Sequence, residues 1–389
     1  MNPFMFQNTT KIYFGKDQLE NLSIELKNYG SKVLLTYGGG SIKKIGLYDK
    51  VVNQLQSHGI EFIEFGGIEP NPRHSTVNKA AAICKNENID VILAVGGGST
   101  IDASKAIAAA TFYHGDCWDL VTHKAPVTKA LPLLTVLTIS ATGSEMDSGG
   151  VISNIETHEK YGLLHPLLLP KVSFLDPTLT YSVSEYQTAS GAADILAHIF
   201  DLYYFTLHPQ LSMIHDVIES IIKTVVKYGP IAIKDPENYE ARANLMWAST
   251  WALNGFLGTG IIQAPTCHMI EHELSAHYDI THGHGLAIIT PHWLSYVLND
   301  KTAPIIKDFG VNIFGIDSSS ETMEGAKHAI DRLSKFYSED LGLSSTLSSL
   351  NIDYTNFETM AKNACRNNLI KGFVELSKND VVKILQMSL

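Results

Sequence analysis

The residues in this chain best suited to do chemistry are histidines, and they are clustered. His268, His272, His277, His282, His284 and His292 all fall in one short window. His268 and His272 are four apart on an expected helix, so their rings share one face, and His282 follows in a Thr281-His282-Gly283 turn. Upstream, Asp194 and His198 are also four apart, within an apolar Ala/Ile/Leu/Phe run that predicts burial. A buried carboxylate beside a buried imidazole needs a partner. Taken alone, that pair is satisfied by a hydrogen bond within the helix. Taken together, Asp194, His198, His268, His272 and His282 offer one carboxylate and three or four imidazoles, and three His with one Asp make a donor set suited to Zn²⁺ or Fe²⁺. Surface histidines explain one or two of six, not the whole window. Cys267, next to His268, points about a quarter-turn away and stays outside the set.

A competing reading uses the same window. His268-Met-Ile-Glu271-His272 is an HxxEH string, in which two His hold zinc and the Glu activates water for peptide hydrolysis. It leaves Asp194, His198 and His282 without a role, and gives none to the glycine turns upstream.

Those turns are Gly38-Gly-Gly-Ser41 and Gly96-Gly-Gly-Ser99, each following a buried strand. Glycines let backbone approach a ligand closely, and a helix N-terminus offers free N–H groups to phosphate. A lone turn of this kind is as consistent with a tight strand–helix connection; two at the ends of parallel strands can face one crevice. Nicotinamide-binding folds often place an acid at the end of the second strand, where it holds the adenosine 2′-hydroxyl. Here Thr36-Tyr37-Gly38 has none, while Ser41, Lys43 and Lys44 suit a 2′-phosphate, so the turn favours NADP(H) over NAD(H) unless the lysines are only a solvated face. Thr138–Glu145 (TISATGSE) is a third candidate, either a cofactor loop or an ordinary polar loop.

Alternating apolar strands and helices position these residues in the first half. Lys32–Tyr37, Ile60–Phe65, Asp90–Val95, Leu133–Ile139 and Val172–Leu175 read as strands, with helices at Asp49–His58, Asn78–Asn86 and Thr100–Ala110. Gly150–Ser153 and Tyr161–Leu164 read as a hairpin. This is the pattern of a parallel sheet with crossover helices. After Asp176-Pro177, helical periodicity takes over, with helices at Ser184–Phe205, Gln210–Tyr228, Asn238–Leu257, Ala264–Ala276, Leu286–Leu298 and Glu321–Tyr337. The expected organisation is an α/β domain over 1–180 and an all-helical domain over 181–389.

Composition narrows the function classes. The 389 residues exceed the roughly 250–300 at which single cores stop growing. A net charge of −11 argues against nucleic-acid or anionic-membrane surfaces. Four scattered cysteines, no signal-like N-terminus and no long apolar span lead to an expectation of a cytoplasmic location.

With Gly96–Ser99 and Asp102, Ala141-Thr-Gly-Ser-Glu145, Asp194-x3-His198 and His268-x3-His272-x9-His282-Gly283, the chain resembles the iron-containing (group III) alcohol dehydrogenases over essentially its whole length. Tyr37–Ser41, Asn238–Asn244 and Met246-Trp-Ala resemble the NADPH-dependent butanol dehydrogenases and broad aldehyde reductases within that family. The resemblance implies a dehydroquinate synthase-like architecture, an α/β Rossmann-like nucleotide-binding domain over 1–180 followed by an all-α metal-binding domain over 181–389, with the active site in the cleft between them. It places Asp194, His198, His268 and His282 at the metal and His272 near nicotinamide and substrate. Gly38, Gly39 and Ser41 would receive the 2′-phosphate; Gly97, Gly98, Ser99 and Asp102 lie in the pyrophosphate motif; Thr138, Thr142 and Lys160 lie near the nicotinamide ribose. Asp147 stands where relatives often carry Asn, adding a carboxylate near the cofactor. The implied activity is metal-dependent, NADPH-linked interconversion of short- to medium-chain aldehydes, such as butanal, and primary alcohols. The implied assembly is a homodimer. A polyol or glycerol dehydrogenase on the same scaffold is a further alternative.

Overall fold

The computed structural model describes residues 2–366 and 368–389 and divides into two compact units. One comprises Gln7–Val183 and Pro236–Asn254; the other comprises Ser184–Asp235 and Gly255–Leu389 with the N-terminal segment up to Phe6.

The first unit is built on six parallel strands: β1 (Lys11–Phe14), β2 (Lys32–Tyr37), β3 (Glu61–Phe65), β4 (Val91–Gly96), β5 (Leu133–Leu137) and, after a hairpin, β8 (Val172–Leu175). Their spatial order is β1-β8-β5-β4-β2-β3. β4 is buried on both faces, as expected of a continuous apolar run in a parallel sheet. Ile92 and Ala94 face a core shared with the His74–Glu87 and Gly98–Ala110 helices. Val91, Leu93 and Val95 face the Leu22–Lys27 and Leu47–Ser57 side. The hairpin, β6 (Gly149–Asn154) and β7 (Glu159–Leu164), is antiparallel. The sequence reading missed β1, a four-residue edge strand with only one neighbour in the sheet.

Strand order fixes where a ligand would sit. The chain leaves β2 for β3 on one side and returns to β4 on the other, so the direction of winding reverses between β2 and β4. In open α/β sheets that switch point opens a crevice at the carboxyl ends of the strands. The two glycine turns follow β2 and β4 directly.

One helix assigned by sequence to the C-terminal half, Tyr239–Ala252, groups instead with the α/β unit. Thr250 Oγ1 donates to Glu145 at 2.5 Å, and Gly143 lies against the Ser249 carbonyl. The second unit is helical. The Glu185–Ile199 helix widens at its end into a π-helical turn, Phe200–Tyr204. The Thr266–Tyr278 helix is followed by His282–Val297, which begins at the histidine itself rather than four residues later as the periodicity predicts. Sequence reading also missed the helices Ala303–Phe314, Phe357–Cys365 and Lys378–Met387. Among the described residues, no helix is long and apolar enough to cross a membrane.

Candidate functional site

Three helices of the second unit bring the histidines together. Asp194 and His198 lie one turn apart on Glu185–Ile199, His268 and His272 one turn apart on Thr266–Tyr278, and His282 opens His282–Val297. A glycine lets two of these helices meet closely. A Cβ on Gly283 would stand 1.9 Å from the Ser190 carbonyl oxygen and 3.2 Å from Asp194 Cβ. The Gly in Thr281-His282-Gly283 is therefore required by contact with the Asp194 helix.

Donor atoms of Asp194, His268 and His282 all lie within 4.8 Å of one another, and His282 Nε2 is 3.8 Å from Asp194 Oδ1. The His198 ring centroid is 4.6 Å from that of His268, and the His268 and His282 centroids are 5.3 Å apart. All three imidazoles engage an oxygen through Nδ1. His198 Nδ1 bonds the Asp194 carbonyl at 3.0 Å, His268 Nδ1 the Asp201 carboxylate at 3.0 Å, and His282 Nδ1 the Glu271 carboxylate. Carbonyl and carboxylate oxygens only accept, so Nδ1 carries the hydrogen and Nε2 is the ring nitrogen left to face a ligand. His268 Nε2 is buried with no hydrogen-bond partner. Burial, reinforced by His268 and His282, holds His198 well below the ordinary imidazole range, so it is neutral as a metal ligand must be. The carboxylate of Asp194 and the imidazoles of His268 and His282, with the His198 ring against that of His268, are donors of the type that suits a single divalent ion.

His272 is half-buried, with its ring 5.4 Å from that of His282 and 6.2 Å from that of His268. Glu271, His272 and His282 form a second close triad. Glu271 does not stand where the HxxEH reading needs a water-activating base: it is fully buried, one oxygen on His282 and the other accepting from Ser275 Oγ at 2.6 Å. His284 bonds the Tyr186 hydroxyl at 3.1 Å and Ser344 at 3.0 Å, and His277 bonds the Glu273 carbonyl at 2.9 Å. Burial holds the Cys267 thiol far above its usual range, which keeps it protonated.

In the first unit, the glycine turns touch each other and the third loop. A Cβ on Gly96 would strike Thr100 Oγ1, which also lies 3.6 Å from a Cβ position on Gly38. Cβ atoms on Gly97 and Gly98 would strike Ile139 and Thr142 at 2.3 and 2.4 Å. Thr138 N donates to the Gly96 carbonyl at 3.1 Å. The Gly98–Ala110 helix starts at Gly98, so Gly98 and Ser99 form its first turn. Gly39 and Gly40 have open space where a Cβ would stand, and Gly40 has φ +92°.

Beneath this surface lies a buried polar network the sequence reading missed. The Lys105 ammonium is fully buried; it donates to Asp147, to Ser144 Oγ at 2.9 Å and to the Gly149 carbonyl at 2.5 Å. Asp102 accepts from Ser144 Oγ at 2.6 Å and from Val151 N at 2.8 Å. Both sequence-nominated carboxylates, Asp102 and Asp147, thus tie the 144–151 segment to the Gly98–Ala110 helix. Burial pushes Asp102 up to about 6 and Glu145 up to about 7. Lys160 Nζ donates to Asn71 Oδ1 at 2.8 Å, which places Lys160 beside the loop after β3. Ser41 opens the short turn that carries Lys43, whose ammonium lies 4.3 Å from the Tyr48 ring centroid and 3.4 Å from Glu64.

Two family models match, described as iron-containing alcohol dehydrogenase over residues 9–177 and as the C-terminal part of the Fe-containing alcohol dehydrogenase family over 188–389. The chain is 46% identical to the NADH-dependent butanol dehydrogenase A of Clostridium acetobutylicum, with both chains fully covered. It is 37% identical to the NADPH-dependent aldehyde reductase YqhD of Escherichia coli, covering 93% of this chain and 92% of that one. A crystal structure of NADH-dependent butanol dehydrogenase A from Thermotoga maritima matches with a TM-score of 0.94 at 39% identity, covering 100% of this chain and 99% of that one.

Proposed function

The chain belongs to the iron-containing alcohol dehydrogenase family, and we propose that its reaction is the NADP(H)-linked interconversion of short- to medium-chain aldehydes, butanal among them, with primary alcohols. It is an enzyme of alcohol and aldehyde oxidoreduction that uses a nicotinamide nucleotide and a divalent metal. The observation that carries the reading is the buried, unpartnered His268 Nε2 within a converging set of Asp194, His198 and His282.

Asp194, His198, His268 and His282 would hold one Fe²⁺ or Zn²⁺; the donor set suits both. A bound metal supplies Lewis acidity toward the substrate oxygen, and the nucleotide supplies the hydride. The chain's own part is to orient these donors, each imidazole being held through Nδ1. Asp194 would give the ion its one carboxylate, and His198, His268 and His282 would give it imidazole nitrogens. His272, whose ring centroid is 5.4 Å from that of His282, would hold or pass the proton of the substrate hydroxyl.

For the nucleotide, the turns at the β2/β4 switch point would receive phosphates on Gly97, Gly98 and Ser99. The end of β2 carries no acid, and Gly38, Gly39 and Ser41 would receive a 2′-phosphate near Lys43; Gly39 has open space where a Cβ would stand. Glu64 beside Lys43 favours the opposite choice, NAD(H), as do the names of the butanol dehydrogenases at 43–46% identity. The size of the kcat/KM ratio for NADPH over NADH decides between them. A homodimer in the cytoplasm is part of the proposal.

The test replaces His268 or Asp194 with Ala and follows butanal-dependent NADPH oxidation after metal repletion. The expected loss is on the order of 10³-fold, equivalent to several kcal/mol of lost Lewis-acid stabilisation. Full activity in both variants would reject the metal assignment.

A further inference from the structure

Asp201 and Glu271 are not among the ligands, yet each holds one ligand ring. Asp201 lies in the π-helical turn that ends the Asp194 helix, seven residues beyond Asp194 and three beyond His198. Its Oδ2 accepts two hydrogen bonds from one residue, from His268 N and from His268 Nδ1, both at 3.0 Å. The first of these bonds satisfies a backbone N–H in the opening turn of the Thr266–Tyr278 helix, where a carboxylate also meets the positive end of the helix dipole. One oxygen thereby fixes both the helix and the ring it carries.

Glu271 does the same for His282 from a different helix. It is fully buried, and its oxygens bond His282 Nδ1 and Ser275 Oγ. Room for it is cut into the facing helix: a Cβ on Gly285 would come within 2.8 Å of Glu271 Cγ and Oε1. A buried carboxylate with a glycine opposite it, bonded to a ring that aims its other nitrogen at Asp194, is a built arrangement.

Resting on the metal reading of Asp194, His198, His268 and His282, we propose that Asp201 and Glu271 are positioning residues of the metal centre. Through Nδ1 of His268 and His282 they fix Nε2 as the ligating atom of each ring and raise its basicity, and so they set how tightly the divalent ion is kept. Groups in such positions are typically worth 10–100-fold in metal affinity. The Glu of the HxxEH string then has a defined task, orientation of a histidine eleven residues downstream.

The probe is Zn²⁺ alone, titrated into metal-stripped full-length protein against a competing chelator. The variants are Asp201→Ala, Asp201→Asn, Glu271→Ala, Glu271→Gln and Gly285→Ala, each checked by thermal melting of the stripped form. The expected result is Zn²⁺ affinity about 10–100-fold weaker in the Ala variants at 201 and 271. Asn and Gln, which keep an acceptor but lose the charge, fall between these and the parent. Gly285→Ala weakens Zn²⁺ although it removes no charge and no ligand. The visible bands of the Co²⁺-loaded Ala variants shift, which loss of packing alone would not cause. His268→Ala separates failure of the ligand set from failure of the positioning role. If it keeps parental Zn²⁺ affinity, the ligand assignment itself fails. If it loses Zn²⁺ while the 201 and 271 variants keep parental affinity and bands, the positioning proposal is overturned and the ligand assignment stands. Should an Ala variant fail to fold, its Asn or Gln counterpart decides in the same way: weaker Zn²⁺ supports the proposal and parental affinity overturns it.

Discussion

The histidine cluster and the glycine turns solve opposite problems. The cluster works through side chains: imidazoles from three helices converge, and each ring is pinned at Nδ1 by an oxygen. The turns work through backbone: Gly97 and Gly98 lie so close to Ile139 and Thr142 that no side chain fits. A site made of side chains announces itself by residue type. A site made of backbone announces itself only by what is missing, so the same pattern also describes an ordinary turn.

Substitutions can break this contrast in a definite order. The largest effect is expected from Gly283→Ala. Alanine is the better helix former by about 1 kcal/mol, yet its Cβ would meet the Ser190 carbonyl at 1.9 Å. A net loss of about 3 kcal/mol in urea unfolding, with loss of bound metal, is expected; a stabilised variant would show that the two helices do not meet as described. Gly98→Ala comes next. Its obstacle is the whole Thr142 side chain, with Oγ1, Cγ2 and Cβ all within 3.0 Å of the Cβ position, so a loss of about 2 kcal/mol and a raised KM for nucleotide are expected. Metal content should stay at the parental level; a fall in metal would mean the two regions are not separable in this way.

Ser41→Asp is expected to raise the KM for NADPH about tenfold more than the KM for NADH, since a carboxylate near the 2′-position repels phosphate by roughly 1 kcal/mol or more. An unchanged ratio would remove the 2′-phosphate reading. The smallest effect concerns Glu145, whose folded value near 7 lies above its ordinary 4.5. The folded state then binds the extra proton, so this group's contribution to stability is full below about 4.5 and is lost as pH rises through about 7. Glu145→Gln should flatten that slope, gaining relative to the parent chain at pH 8 compared with pH 5. Parallel pH curves of the melting temperature would reject the assignment.

What can be read from sequence follows the same division. Apolar runs such as Lys32–Tyr37 and Val172–Leu175 are legible to the residue, because burial on both faces leaves a continuous signal. Lys11–Phe14 is not, because a short edge strand is half-exposed and carries no alternation. Tyr239–Ala252 reads as a helix, but nothing local says which unit it joins; that is decided by Glu145 reaching Thr250 across more than a hundred residues. Of the carboxylates that matter here, Asp194 is legible through its spacing to His198. Asp201 continues the same stripe and is detectable at i+7, whereas Glu271 is visible but reads in the wrong role, because HxxEH spacing does not reveal which way the carboxylate turns. Lys105 is invisible: a lysine in an Ala-rich helix looks like a solvated charge until the 144–151 segment closes over it.

The central claim is that Asp194, His198, His268 and His282 hold one divalent metal on which aldehyde reduction depends. Elemental analysis of freshly purified parent chain and Asp194→Ala tests it most directly. The expected result is one Fe or Zn per parent chain and a small fraction of that in the variant. Equal metal in both would contradict it.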